Sequence, residues 1–321
     1  MVKRHDEREK NQLVTEKKAE QNKAKAAAKL KAKAAEKSEI NPATALFDAI
    51  HPCIKPIPTY DNQEAFVTAK QDKSHAPQKP HFIKDMASIG DLVRERTVKA
   101  ALGIFRIQFP ASPAKDQGGG QQPLRSDKNP QLREALLQGA CDPQSLPKTW
   151  EGKPAQKIFE QVNMYASTYG HAPLCAWERQ GLASCRYQEA GVREIIAISI
   201  PSMIEFAAQA GIERAVGMTY KNFLEGIVFE MHHSLEVFSS KGGEIFKGIM
   251  RAGSFGYMPW GYMVLERTVG DTHCYGFRAP AFDATPAGVE ALGQMQRELQ
   301  AISGEHDTLV KLWATVLEAF G

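Results

Sequence analysis

Apolar residues along this chain recur mostly at three- and four-residue spacing, the period of a helix with one buried face. Residues 155–169 place Ile158, Phe159, Val162 and Tyr165 on one side, ahead of Gly170. Residues 191–210 do the same with Val192, Ile195, Ile196, Met203, Ile204, Phe206 and Ala207, and Pro201 is expected to kink or divide that helix. A third helix is predicted over residues 220–238, through Phe223, Leu224, Ile227, Val228, Met231, Leu235 and Phe238. Gly242-Gly243 is read as opening a shorter helix that runs to Ala252. The period then changes. Residues 260–268 and 272–278 are rich in β-branched and aromatic types and flank Val269-Gly270-Asp271, which predicts a β-hairpin. Thr285-Pro286 is a helix start signal, and Val289, Leu292, Met295, Leu299 and Ile302 continue it. After Ser303-Gly304, a last helix carries Leu309, Leu312, Trp313, Val316, Leu317 and Phe320, so the final two helices form an αα-hairpin or a coiled-coil seam.

The N-terminal half reads differently. Residues 41–154 hold 13 of the 18 prolines together with Gly118-Gly119-Gly120, the composition of a linker. One island interrupts it: Ile83, Met86, Ile89, Leu92, Val93, Ala100 and Leu102 suggest an amphipathic helix over 83–102, able to pack in cis or onto another copy. A short helix over 130–139 ends in its own glycine. The expected fold is therefore mainly α: a helical globular domain over 155–321 with one hairpin near 260–278, preceded by a Pro-rich linker and an arm.

Charge sharpens that division. Residues 1–40 carry 12 Lys and Arg against 7 Asp and Glu, a net of +5, whereas the remaining residues carry 28 against 30, a net of −2. Eight lysines (Lys17, Lys18, Lys23, Lys25, Lys29, Lys31, Lys33 and Lys37) lie among alanines, and four of them repeat every fourth residue. In a helix, Lys25, Lys29, Lys33 and Lys37 would share one face and repel one another until a polyanion neutralised them. This points to non-specific nucleic-acid binding, most naturally to RNA. The arm lacks the apolar anchor that membrane docking needs, and no apolar run approaches a bilayer span. Five scattered cysteines without a C-x-x-C pair fit a reducing, intracellular setting, cytoplasmic or nuclear.

Catalytic and metal signatures are sparse. Ala252-Gly253-Ser254-Phe255-Gly256 has the outline of a nucleophile elbow, and Asp283 and His306 follow in the order α/β-hydrolases use, giving a serine hydrolase through Ser254 as an alternative. The reading expects no catalytic site, cofactor or metal, because His171, Cys175, Cys185, His273 and Cys274 lack zinc-knuckle spacing. Glu230, His233 and Glu236 give one E-x-x-H copy where di-iron bundles use two. Trp260, Tyr262, Tyr275 and Phe277 beside Arg267 and Arg278 would suit base stacking, although strand aromatics more often form core.

The stretch Arg278-Ala279-Pro280-Ala281-Phe282-Asp283 resembles the Arg/Lys-x-Ala-x-Phe-Asp segment of the coat proteins of flexuous filamentous plant viruses. The resemblance covers six residues. Ala279 stands where that family has an aromatic residue, and Thr285 where it has Phe. It implies an Arg278–Asp283 ion pair inside a helical core that grips RNA, with Arg278 among the nucleic-acid contacts. The combined expectation is a structural or packaging protein that binds nucleic acid through its arm and self-associates as a homo-oligomer. The alternative is a protein–protein scaffold whose arm only solubilises or spaces the domain.

Overall fold

A computed structural model describes residues 42–71, 79–93, 120–124, 130–138, 151, 159–160, 162–167, 183–215, 218, 220–269, 274–281, 286–303 and 308–318. Two mixed β-sheets dominate them, so the fold is α/β and not a helical domain with one hairpin. The four-stranded sheet has the order β1 (Ile54–Pro56), β8 (Ile245–Met250), β7 (Val192–Ser199) and β10 (Tyr262–Val269). The seven-stranded sheet runs β2 (Thr59–Asn62), β3 (His81–Asp85), β9 (Phe255–Met258), β6 (Ser184–Ala190), β11 (Cys274–Pro280), β5 (Val162–Ser167) and β4 (Gly120–Leu124).

Consecutive strands split between the sheets. β6 leads into β7 through Gly191 alone, β8 into β9 through residues 251–254, and β10 into β11 through 270–273. Each pair is an arch that crosses from one sheet to the other. The arches stack in matching order, β8/β9, β7/β6 and β10/β11, along the two sheets. This corrects the hairpin expected at 260–278: β10 pairs with β7, and β11 lies between β5 and β6. Gly191 takes φ 77°, a left-handed conformation that lets one residue reverse the chain.

Strand alternation sorts the side chains into layers. Ile195, Ala197, Phe246, Met250 and Val264 from the smaller sheet meet Phe82 and Met258 from the larger one, with Ile57 completing this inner core. The alternate residues Ile196, Ile198, Ile245, Met263 and Leu265 face helices instead. There lie α5 (Ile200–Ala210), α6 (Tyr220–His233), α7 (Leu235–Ser240), α8 (Pro286–Ser303) and α9 (Thr308–Leu317), with α5 packed on β7 and α1 (Pro42–Asp48) on α6. On the outer face of the larger sheet, α4 (Pro130–Gln138) packs on β6 and β11. There α2 (Gln63–Gln71) packs on β2 and β3, and α3 (Ala87–Val93) on α4. The result is a four-layer α/β/β/α sandwich.

Several helical expectations become strands, and residues 192–199 show how: buried on both faces, they lose the period of two and are apolar almost throughout their second half. Residues 162–167, 192–199 and 245–250 are all strands. Ser199 caps α5, its Oγ accepting from Ser202 N at 3.5 Å, and Pro201 lies in the first turn, where its missing N–H costs nothing. The proline starts the helix instead of kinking it. Within 83–102, Ile83 belongs to β3 and the helix among the described residues is only Ala87–Val93. The Pro-rich stretch 41–154 is no linker there, since it supplies β1 to β4 and α1 to α4. The last two helices pack on each other and α8 also on α5, so they are an αα-pair within the domain and not a coiled-coil seam. Residues 1–41 lie outside the described residues.

Candidate functional site

Among the described residues, the densest polar constellation lies between the sheets. Glu266 of β10 accepts from three guanidinium groups: Arg186 of β6 on Oε1, Arg278 of β11 on Oε1 at 2.8 Å, and Arg193 of β7 on Oε2. All four residues are buried, with Glu266 3% exposed and Arg186 fully enclosed. Register explains the convergence. Arg186 and Arg278 are direct cross-strand partners in the larger sheet, and Glu266 projects from the smaller sheet across from them. Arg186 and Arg193 flank the β6/β7 arch, and Glu266 and Arg278 flank the β10/β11 arch. The carboxylate therefore braces two neighbouring arches together.

Tyr165 of β5 extends the cluster. Its ring lies under Arg193 at 4.3 Å and Arg278 at 5.3 Å, and its hydroxyl donates to Gln188 Oε1 at 3.1 Å and to Tyr187 O at 3.3 Å. Gln188 Nε2 reaches Cys274 Sγ at 2.6 Å, and Arg193 Nε approaches the same sulfur at 3.4 Å. Gly276, the cross-strand partner of Tyr165, must be glycine: a Cβ would collide with Tyr187 O and stand 2.7 Å from the Tyr165 hydroxyl.

Electrostatics follow from this geometry. Burial alone would raise the Glu266 carboxyl, but Arg186, Arg193 and Arg278 overcome it and hold the group well below the usual carboxylate range. Burial pushes the Tyr165 phenol far up, so it stays protonated as a donor. Burial pulls against the Arg193 charge, yet Glu266 keeps it firmly protonated. The cluster is sealed from solvent. Its chemistry is that of an ion-paired brace.

A second, half-exposed network joins α1 to the opposite face of the smaller sheet. Glu194 accepts from Arg267 Nε at 2.5 Å and Lys247 Nζ at 3.1 Å. Arg267 also reaches Asp48 at 2.9 Å and lies 4.8 Å above the Phe47 ring, while Lys247 donates to the Phe47 carbonyl. Leu46 and Phe47 are fully buried beside it. At the end of α1, the Cys53 thiol and the Cys53 backbone N both lie on His51 Nδ1, at 3.0 and 3.2 Å. The amide makes Nδ1 an acceptor, so the thiol is the donor, and burial pushes that thiol up. This pair does not form a primed nucleophile.

The residues singled out from sequence scatter. Lys17, Lys18, Lys23, Lys25, Lys29, Lys31, Lys33 and Lys37 lie outside the described residues, as do Asp283, His306, His171, Cys175 and His273. Arg278 is 2% exposed inside the sandwich on a strand, and its described carboxylate partner is Glu266. Ser254 sits in a strand-to-strand arch, not the strand-to-helix turn of an elbow; its Oγ accepts from Arg251 N at 3.3 Å. Cys185 and Cys274 face opposite sides of the larger sheet, the first toward the helices and the second toward the sandwich interior. Glu230 and Glu236 fall on separate helices, α6 and α7. Trp260 and Phe277 are buried core, Tyr262 meets Phe246 edge-to-face between the sheets, and no shared aromatic platform forms from them among the described residues. No cluster of three or more His, Cys, Asp or Glu suited to a metal occurs among the described residues. None of their helices is long and apolar enough to cross a membrane.

Sequence reasoning passed over Arg186, Arg193 and Glu266. The signal was present: a single charge inside Ser-Cys-Arg-Tyr and charged pairs inside Val-Arg-Glu-Ile and Val-Leu-Glu-Arg-Thr, each embedded in a β-rich run. A charge in such a place needs a partner across the core. Compared with known proteins, the chain matches no family model and no curated relative.

Proposed function

We propose that this chain is a structural nucleic-acid-binding protein, in which the cationic arm of residues 1–40 takes the polyanion and the α/β/β/α body carries it. One observation supports the reading: a net charge of +5 on the arm against −2 on the rest. Neutralising phosphates with lysines releases condensed counterions, which supplies affinity without sequence preference. Single-stranded RNA is the favoured ligand class, and a packaging role would have several copies assemble along it. The described cysteines, Cys53, Cys185 and Cys274, are free thiols buried in the body, in keeping with a reducing intracellular compartment.

The test is a salt titration of oligonucleotide binding by the full chain and by a variant with Lys25, Lys29, Lys33 and Lys37 replaced by Gln. Each phosphate contact on a single strand contributes about −0.7 to the slope of log K against log salt, so the variant should lose roughly 3 units of slope. Absence of binding by the full chain at low salt, or an unchanged slope in the variant, defeats the proposal.

A further inference from the structure

We infer that Lys55 and Lys79 form a seat on the body for a backbone phosphate of the nucleic acid. This rests on the proposed function, because it names the body's own contact with the ligand that the arm would bind. Both lysines converge on Glu244 at the rim of the sandwich where β8 and β10 begin. Lys55 Nζ donates to Oε1, and Lys79 Nζ lies 3.5 Å from Oε2. Lys55 sits opposite Phe246, on the inner face of the smaller sheet, while Lys79 belongs to the run into β3 of the larger one. The Lys79 ammonium stands 5.6 Å from the Phe246 ring centroid, and Tyr262 meets the same ring edge-to-face. The two sheets thus bring together cations that are distant in sequence.

Charge balance sets this group apart. Two ammoniums face one carboxylate, which leaves a net positive charge. By contrast, Lys84 is balanced by Asp61, and Arg267 with Lys247 by Glu194 with Asp48. The side chains of Lys55 and Lys79 are 49% and 51% exposed, so each ammonium turns part of its three-donor surface toward solvent. The hydrogen bond from Lys55 holds the Glu244 carboxyl below the usual carboxylate range, so at neutral pH it stays ionised and keeps the two lysines together. Burial, helped by the Glu244 charge, pushes the Tyr262 phenol up to about 12, so it adds no second negative charge. A phosphate on the outer side of the pair takes charge-assisted N–H···O bonds from both ammoniums, and no base is read.

Lysine footprinting of the full chain tests this. The protein is acetylated at low salt with and without a single-stranded RNA oligonucleotide, and peptide masses give the labelling at Lys55, Lys79 and Lys84. Lys84, whose side chain is 63% exposed and paired with Asp61, is the control. RNA should protect Lys55 and Lys79 and leave Lys84 unchanged. In salt titrations, Lys55→Gln combined with Lys79→Gln should lower the slope of log K against log salt by about 0.7, the value of one phosphate contact, whereas Lys84→Gln should not change it. Three results overturn the seat and leave the role of the arm standing: equal labelling of Lys55 and Lys79 with and without RNA, equal protection of Lys84, or an unchanged slope in the double variant while the parent chain binds. Failure of the parent chain to bind RNA would instead bring down the proposed function, and this inference with it.

Discussion

Replacing Glu266 by Gln keeps the shape of the side chain and removes its charge, leaving three buried guanidinium groups facing an uncharged amide. Arg186, Arg193 and Arg278 are each no more than 4% exposed, so water cannot take over the role of the carboxylate. Removing one partner from a buried ionic network typically costs about 3–5 kcal/mol, because it strands the remaining charges in a medium that solvates them poorly. Against total stabilities of about 5–15 kcal/mol, this is a large share. Urea denaturation followed by circular dichroism should show a lower midpoint for Glu266→Gln with a similar slope. The half-exposed network gives the internal comparison: Asp48, whose side chain is 64% exposed, should cost less than about 1 kcal/mol when changed to Asn. The pH dependence carries a sign. The folded state holds the Glu266 carboxyl below its usual range, so the unfolded chain takes up that proton first. The stabilisation is complete above the unfolded carboxylate pKa, about 4.3, and is lost progressively as pH falls below it. Glu266→Gln should therefore flatten the acid limb of the stability curve. A loss under about 1 kcal/mol, or an acid limb identical to that of the parent, would refute the brace.

Gly276→Ala should be strongly destabilising, since its Cβ collides with the Tyr187 carbonyl and crowds the Tyr165 hydroxyl; pairing it with Tyr165→Phe should not recover the loss, and thermal melts of both variants check this. Pro201→Ala should change stability by less than about 1 kcal/mol, because the proline sits in the first turn of α5; a drop of the size expected for an interior kink would contradict that placement.

The sequence made some elements legible and hid others for identifiable reasons. The helices begun at Thr285-Pro286 and centred on Phe223 to Met231 have clear caps or clean 3.6 periodicity, and the structure has them at Pro286–Ser303 and Tyr220–His233. The β character of 260–268 and 272–278 was equally visible in their branched and aromatic residues. Their partners were not, because a short Gly-Asp loop joins a hairpin and an arch alike; only distant strands, β7 for one and β5 with β6 for the other, decide which forms. The run Ile245-Phe246-Lys247-Gly248-Ile249-Met250 looks helical because both faces are used: Phe246 and Met250 face the other sheet, whereas Ile245 faces helices. Prolines misdirected the reading of 41–154. Pro56 ends a three-residue edge strand beside exposed Lys55, a position where a missing N–H is tolerated and discourages further pairing. Local sequence points Arg278 toward RNA and Asp283. Its burial against Glu266 depends on strand order, which local sequence does not encode.

The brace requires β10 and β11 to lie in different sheets. Cross-strand NOEs in the isotopically labelled protein measure this directly. The account predicts contacts from the Leu265 backbone to Ile196 and from Phe277 to Tyr187 and Met164. A ladder of contacts between residues 262–269 and 274–280, as in a hairpin, would contradict it.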